Sequence, residues 1–301
     1  MRINLNNYPL VSVIMNCYNG ETYLAEAVKS ILDQTYSNFE VIFWDNQSKD
    51  KSAAIYKSFK DKRLKYYYAK KHTTLYEARN LAIKKSKGKF IAFLDSDDFW
   101  AKNKLYLQVY KLKNERFGLV YSNYYFLNQL TGLKKIAFKK KLPEGMIYKR
   151  LLKDYCIGIG TVVLRKSIFL KNTNFFNKKF NIIGDFDLFV RISQNILFAN
   201  IQQPLLTYRV HNKSYSNNNY HMHIKELKFW LKKQKISHKN YFFSVREKIL
   251  YMETILNILN KKYILSLKNI FFISSFKKKT KLFIFLFIPT FILKKLRDNF
   301  S

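Results

Sequence analysis

Two cysteines, Cys17 and Cys156, are all that the 301 residues contain. They form no CxxC pair and match no zinc spacing, so a disulfide framework and a structural zinc module are both excluded. Cys17 closes an apolar run and reads as a small buried residue. Glycine is scarce too, at 8 residues. There is no GxGxxG and no GxxxxGKS/T, so neither the dinucleotide fingerprint nor the P-loop is present to cradle phosphates. Any phosphate has to be held by cations instead. Long hydrophobic runs are also missing. The longest apolar stretch, Leu282–Leu293 (LFIFLFIPTFIL), spans about 18 Å as a helix, against a hydrocarbon core of about 30 Å, and Pro289 would kink it. The opening MRINLNNYPL has no apolar h-region, which predicts a chain kept in the reducing cytoplasm. Acids are few: 20 Asp and Glu stand against 55 Lys and Arg, a net charge of +35.

That excess has three readings. A composition rich in Lys, Asn, Ile, Phe and Tyr fills solvated faces with Lys for no functional reason. Alternatively, the charge attracts anionic lipid or a phosphate-bearing substrate, or it binds nucleic acid. The apolar fraction of 48% supports a packed core rather than disorder. The length suits one large α/β domain with an appendage, or two domains.

Hydrophobic periodicity predicts strands over Leu10–Met15, Glu40–Trp44, Leu64–Ala69, Lys89–Leu94 and Phe117–Phe126. Helices are predicted between them, from Glu21 to about Gln34 and over Ser52–Lys60, Leu75–Ser86 and Lys102–Asn114. Strands alternating with helices of this length mean a parallel sheet with crossover helices. From about Leu127 the alternation stops. Lys134–Lys141 reads as a basic loop or edge hairpin, and Cys156–Arg165 as a glycine-bearing turn (Gly158, Gly160, Thr161) running into a strand. Gly184–Ser193 reads as a helix with a polar start, and Leu205–His211 as a short strand. Residues 221–301 differ in kind, with 18 Lys and Arg against 4 Asp and Glu. The expected division is therefore a domain over 1–220, with halves at about 8–125 and 126–220, and a basic, aromatic, helical extension over 221–301.

In parallel sheets of this kind ligands bind at the carboxyl ends of the strands. Three polar clusters fall there: Asn16–Glu21, Asp45–Asp50 and Asp95–Asp98. The last follows directly on IAFL. Three carboxylates at the end of a buried strand repel one another, so something positive must stand beside them. Hard divalent cations take one or two carboxylates plus substrate phosphates. The competing reading is an acidic helix start. Asp45 suits a base N–H or ribose hydroxyl, or else a turn. Tyr18 suits a planar base, and Arg79 is a candidate cation for phosphate.

Seven segments then occur in a telling order: VSVIMNCYN (Val11–Asn19), SILDQTYSNFEV (Ser30–Val41), DNQSKDKS (Asp45–Ser52), ARN (Ala78–Asn80), GKFIAFLDSDD (Gly88–Asp98), GDFDLFVRIS (Gly184–Ser193) and YRVH (Tyr208–His211). Over Leu10–His211 the chain resembles the family 2 glycosyltransferases with the GT-A fold. The resemblance implies an α/β fold with a GT-A-like, mostly parallel central sheet flanked by helices, here with a helical basic C-terminal extension. It implies inverting sugar transfer from a nucleotide-diphosphate sugar, a UDP-sugar above all. Asn16, Tyr18, Asn19, Glu21, Asp45, Arg79, Asp95, Ser96 and Asp97 would line the nucleotide-sugar site. Mn²⁺ or Mg²⁺ would be held by Asp97, Asp98 and His211, and Asp185 would be the catalytic base. Asp187 competes for that role, but it points about 200° around a helix from Asp185. Asp185 also suits helix capping.

Three positions depart from the family pattern: Asn16-Cys17 replaces the usual Pro-Thr, Asn46 the second Asp, and Gly184 the Glu before the base. The implied acceptor is a glycan or lipid-linked acceptor in surface polysaccharide or lipopolysaccharide synthesis. The implied location is cytoplasmic, peripheral at the inner face of the cytoplasmic membrane. There the basic tail would lie on an anionic leaflet or pack on the domain with its Lys facing water. An inactive scaffold of the same fold would also explain the departures. A nucleic-acid binder would explain the charge but not the acidic strand ends, so nucleic acid is not an expected partner.

Overall fold

The computed structural model describes residues 9–170, 175–212, 219–234 and 241–293. Residues 1–8, which hold most of the segment read for a secretory leader, and the KKLR flank at 294–297 lie outside the described residues.

The chain begins as β1 (Val11–Cys17), α1 (Glu21–Leu32), β2 (Phe39–Asp45), α2 (Ser52–Ser58), β3 (Leu64–Tyr68), α3 (Leu75–Lys85) and β4 (Phe90–Phe93). Every residue of β1 and β2 is buried, as expected for parallel strands covered on both faces. α1 packs through Leu24, Ala27, Val28 and Ile31, the i, i+3, i+4, i+7 stripe that periodicity marks. β1 pairs parallel with β2 and β4, and β2 pairs parallel with β3. The crossover reading holds for this half. It also brings the carboxyl ends of β1, β2 and β4 side by side.

Then come β5 (Phe99–Trp100), α4 (Lys104–Lys111), β6 (Phe117–Asn128), β7 (Lys134–Ile136), α5 (Tyr148–Lys153), β8 (Val163–Arg165), α6 (Ser167–Leu170), α7 (Gly184–Ile192) and β9 (Leu197–Val210). The sheet order is β3-β2-β1-β4-β8-β6-β9-β5, with β7 on β6. β6, which alternation suggested as one more parallel strand, is antiparallel to β8. β8 is in turn antiparallel to β4. The neighbour that sets the direction of β6 arrives about forty residues later, beyond the reach of any local pattern. β7 makes Lys134–Lys141 the start of an edge hairpin. Leu205–His211 is the far half of a longer strand.

The glycine-bearing turn of the second half is part of the core. Trp100 Nε1 donates to the Gly160 carbonyl at 3.0 Å, and Gln108 Nε2 to the Thr161 carbonyl at 2.7 Å. Lys104 is fully buried, with Nζ 2.6 Å from Gln108 Oε1 and 4.2 Å from the Trp100 ring centre. Burial alone pushes its pKa well down.

The chain divides into two compact units. The first comprises 1–127, 132–148 and 156–209 and carries the sheet; the second comprises 128–131, 149–155 and 210–301. The second unit contains α8 (Tyr220–Lys232), α9 (Phe243–Leu259), α10 (Tyr263–Phe272) and α11 (Phe276–Phe285). Its small core joins Ile258, Ile270, Ile273, Leu282 and Leu293. Glu247 on α9 holds the start of α11, accepting from the Ser274 N–H at 2.9 Å, the Ser275 N–H at 3.0 Å and Lys278 Nζ at 2.9 Å. Among the described residues no helix is long and apolar enough to cross a membrane.

Candidate active site

The turns after β1 and β2 are tied to each other. The Asn19 N–H donates to Ser48 Oγ at 3.0 Å, and the Lys49 N–H returns to Asn19 Oδ1 at 2.8 Å. The Glu21 N–H donates to Asp50 Oδ2 at 2.9 Å, and the Lys51 N–H to Glu21 Oε2 at 2.8 Å. Asn19 has φ +53, a left-handed conformation that Asn tolerates. Asn19 and Glu21 therefore build the rim of the candidate site through their bonds to the neighbouring turn. Gly20 permits a third approach, since a Cβ there would stand 2.7 Å from Ser96 Oγ and 2.9 Å from Cys17 Sγ.

Asp45 does not face outward as a base contact would. It is fully buried, with Oδ1 accepting the Ser48 N–H at 2.7 Å and Oδ2 the Tyr66 hydroxyl at 2.7 Å. It shapes the turn rather than presenting a free carboxylate. Asn16 lies inside β1, not in the turn beyond it. Both polar atoms of its buried amide lack a partner among the described residues. Tyr18 is 52% exposed, the open aromatic surface at this strand end. Its ring stands edge-on to His72 at 4.5 Å.

The acids of the β4 turn do have positive partners, Arg79 and Arg209 among them. Arg79, on α3 and buried, is paired with Asp95. Burial opposes its charge, but Asp95 outweighs burial and holds the guanidinium protonated. Arg79 was the candidate cation for phosphate; here it braces an acid. Arg209 on β9 is the second. Its backbone N–H donates to Asp98 Oδ1 at 2.9 Å, and its Nε to the Asp97 carbonyl at 2.9 Å. Asp98 is 2% exposed. Burial, with the Asp97 and Asp95 charges next, pushes its carboxyl well above the ordinary range. Asp95, Ser96 and Asp97 are half-buried at the surface. Asp98 thus faces the protein, whereas Asp97 keeps part of its surface in solvent. His211 follows β9 directly and belongs to the second unit.

α7 begins beside this turn's brace. Asp185 Oδ1 is 3.1 Å from the hydroxyl of Tyr76, on the same helix as Arg79. Asp187 instead pairs with Arg191 at 3.1 Å, one turn along α7. The two acids therefore have different partners, and Asp185 is the one linked to the β4 acids through α3.

Among the described residues no three His, Cys, Asp or Glu side chains cluster as a ready metal site. The donor set still fits a hard cation shared with a substrate, because Asp95 and Asp97 are carboxylates partly open to solvent and a diphosphate brings its own oxygens. Sequence reasoning missed Tyr76 and left Arg209 without a role. The signal available for Arg209 was the acidic turn's demand for positive charge, which no spacing rule connects to a strand about a hundred residues away.

A family model, glycosyl transferase family 2, matches residues 12–171. The chain belongs to this family and is a glycosyltransferase. Over 221 residues it is 35% identical to the UDP-Glc:alpha-D-GlcNAc-diphosphoundecaprenol beta-1,3-glucosyltransferase WfgD of Escherichia coli, covering 73% of this chain and 83% of that one. The fold is similar to that of S. aureus TarS 1-349 in complex with UDP-GlcNAc, at 17% identity and TM-score 0.58 over 86% of this chain and 88% of that one. It is also similar to the mannosyltransferase PcManGT from Pyrobaculum calidifontis in complex with GDP-Man and Mn²⁺, at 15% identity and TM-score 0.61 over 97% and 85%. The expected GT-A-like α/β fold is thereby established.

Proposed function

We propose that the chain transfers a sugar, with inversion, from a UDP-sugar to a hydroxyl of a glycan or lipid-linked acceptor in surface polysaccharide synthesis. The observation that carries this is the convergence of the β1, β2 and β4 turns, with Asp97 half-buried at the surface and Asp185 tied to the same brace. The relative that uses UDP-Glc on a diphosphoundecaprenol-linked GlcNAc supports the donor and acceptor classes.

The nucleoside lies at the ends of β1 and β2, its base against Tyr18. Asp45 acts there through the turn it shapes, and Asn16 is the buried amide behind it. Asp95 and Ser96 border the ribose and diphosphate. Asp97 would hold Mn²⁺ or Mg²⁺, with Asp98 supporting the turn from inside. A divalent ion there supplies Lewis-acid stabilisation of the leaving diphosphate. Asp185 takes the acceptor hydroxyl's proton as that oxygen bonds to the anomeric carbon and the bond to the diphosphate breaks. One displacement inverts that carbon.

The second unit supports a peripheral place on an anionic membrane, at the cytoplasmic face. Phe271, Phe272, Phe276, Phe287 and Phe291 are each more than 60% exposed, and Lys277, Lys278, Lys279 and Lys281 lie among them in sequence. Apolar groups beside cations favour an anionic interface. Deleting residues 261–301 should abolish sedimentation with phosphatidylglycerol vesicles; unchanged sedimentation overturns the membrane reading.

The main test is a thermal-shift screen with UDP, GDP, dTDP and CMP, with and without Mn²⁺. A ligand at 100 times its dissociation constant adds about 2.7 kcal/mol. Stabilisation by UDP that requires Mn²⁺ and disappears in Asp97→Asn is the expected result. No shift with any nucleotide would leave the inactive-scaffold reading standing.

A further inference from the structure

α7 starts around an aromatic ring. A Cβ on Gly184 would stand 2.4 Å from Tyr76 Cδ2, 2.5 Å from Cγ and 2.6 Å from Cε2. Those distances are far inside van der Waals contact, so no other residue fits there while the ring keeps its place. The ring has little room to retreat. Tyr76 is 3% exposed, with the Phe176 ring centre at 5.1 Å and the Arg79 guanidinium carbon 5.1 Å from its own ring centre. α3 is also fastened to the segment that leads into α7. Thr74 Oγ1 donates to the Lys178 carbonyl at 2.9 Å, and Asn80 Nδ2 to the Phe176 carbonyl at 2.8 Å.

The Tyr76 hydroxyl is 3.1 Å from the Ile182 carbonyl oxygen and 3.1 Å from Asp185 Oδ1. A hydroxyl carries one proton, and a carboxylate accepts it more strongly than a carbonyl does. Burial pushes the Tyr76 phenol well up, so it remains a donor. On the other side Arg79 pairs with Asp95. One helix, α3, therefore reaches an acid of the donor turn with Arg79 and the acid of α7 with Tyr76.

We propose that Tyr76 is the positioning residue of Asp185, and that position 184 is glycine so that the Tyr76 ring can reach that carboxylate. The phenol fixes one rotamer of Asp185, favours its ionised form and couples its place to the helix that braces Asp95. This inference rests on the reading of Asp185 as the base. Among the described residues the ionisable groups that act on Asp185 include Tyr76 and Arg79 on α3 and Tyr124 on β6, and Asp187 shares the first turn of its helix.

The test compares the full chain with Tyr76→Phe, Gly184→Ala and Asp185→Asn. Tyr76→Phe keeps the ring and removes one oxygen, so packing survives. Asp side chains are labelled with ¹³C at Cγ and titrated by NMR, with the missing signal of Asp185→Asn assigning Asp185. Removing the phenol donor destabilises the carboxylate, so Asp185 in Tyr76→Phe should titrate higher by about one pH unit. Gly184→Ala should move it in the same direction by displacing the ring. In sugar transfer from UDP-Glc, the donor class of the relative named above, to a GlcNAc-diphosphate lipid, Tyr76→Phe should lower kcat about tenfold, leave the donor KM unchanged and move the acid limb up. Asp185 titrating alike in wild type and Tyr76→Phe overturns the inference and leaves the base reading intact. Asp185→Asn turning over as fast as wild type overturns the base reading itself.

Discussion

Arg209 gives its backbone N–H to Asp98 and its guanidinium to the Asp97 carbonyl, both at 2.9 Å. One residue of β9 so fixes the last acid of the turn and the main chain that presents Asp97. The same guanidinium pairs with Glu26 on α1 and lies 4.4 Å from the Tyr23 ring centre. Arg209→Ala removes a buried charged donor from the Asp97 carbonyl. Loss of about 1.5–3 kcal/mol is expected, read as a lower denaturant midpoint, together with weaker metal-dependent nucleotide binding. A variant as stable as wild type with undiminished nucleotide binding would sink the bracing role.

Asp98→Asn should behave unlike Asp97→Asn. An asparagine oxygen still accepts the Arg209 N–H, so the turn keeps its brace. The nucleotide-induced rise in Tm with Mn²⁺ should persist in Asp98→Asn and vanish in Asp97→Asn. Equal loss in both would make Asp98 a direct ligand.

Asp185→Asn should lower kcat by about 10²–10⁴, the usual contribution of a general base. Asp187→Asn weakens an i,i+4 pair with Arg191, of a kind worth about 0.3–0.5 kcal/mol, and should turn over near the wild-type rate. Initial rates at saturating donor decide between them, and the reverse pattern would make Asp187 the base.

Asn46→Asp tests a departure from the family pattern. Asn46 Nδ2 donates to the Thr73 carbonyl at 2.8 Å, while its Oδ1 accepts from the Thr73 N–H and hydroxyl, both at 3.2 Å. Only an amide serves both sides. Aspartate would set an oxygen against a buried carbonyl, at a cost of about 1–3 kcal/mol. Chemical denaturation measures it, and an unchanged midpoint would count against this account.

Glu247→Gln should reveal a pH-dependent staple in the second unit. Burial works against the Glu247 charge, but the Ser274 hydrogen bonds, then Lys278 and the Ser275 N–H, outweigh it and lower the carboxyl from 4.5 to about 2. A depressed carboxylate contributes stability above its unfolded pKa and loses it as pH falls through the folded one. The wild-type advantage over Glu247→Gln should thus be full above about pH 5 and shrink toward pH 2. Parallel melting curves across that range check it; an advantage independent of pH would point to packing instead.

The parallel half of the fold was legible because each strand and helix there carries its own period. Val11–Cys17 and Phe39–Asp45 differ from the predicted strands by only a few terminal residues. The acidic turn was legible too, since IAFLDSDD places charge where a buried strand ends. The direction of β6 was not, because its partner β8 is distant in sequence. The place of the Gly160–Thr161 turn was not legible either, because Trp100 and Gln108, which claim its carbonyls for the core, lie more than fifty residues earlier.

The sequence by itself determined the family, the order of the elements and which acids stand at the strand ends, because these follow from short-range pattern. Which acids turn inward was decided only by tertiary structure. Asp45 is closed off by Tyr66, Asp98 by Arg209 and Asp187 by Arg191, while Asp97 stays half-buried at the surface and Asp185 meets Tyr76. A carboxylate's role depends on the donors within about 3 Å of it, and apart from Arg191 those donors come from elements far away along the chain.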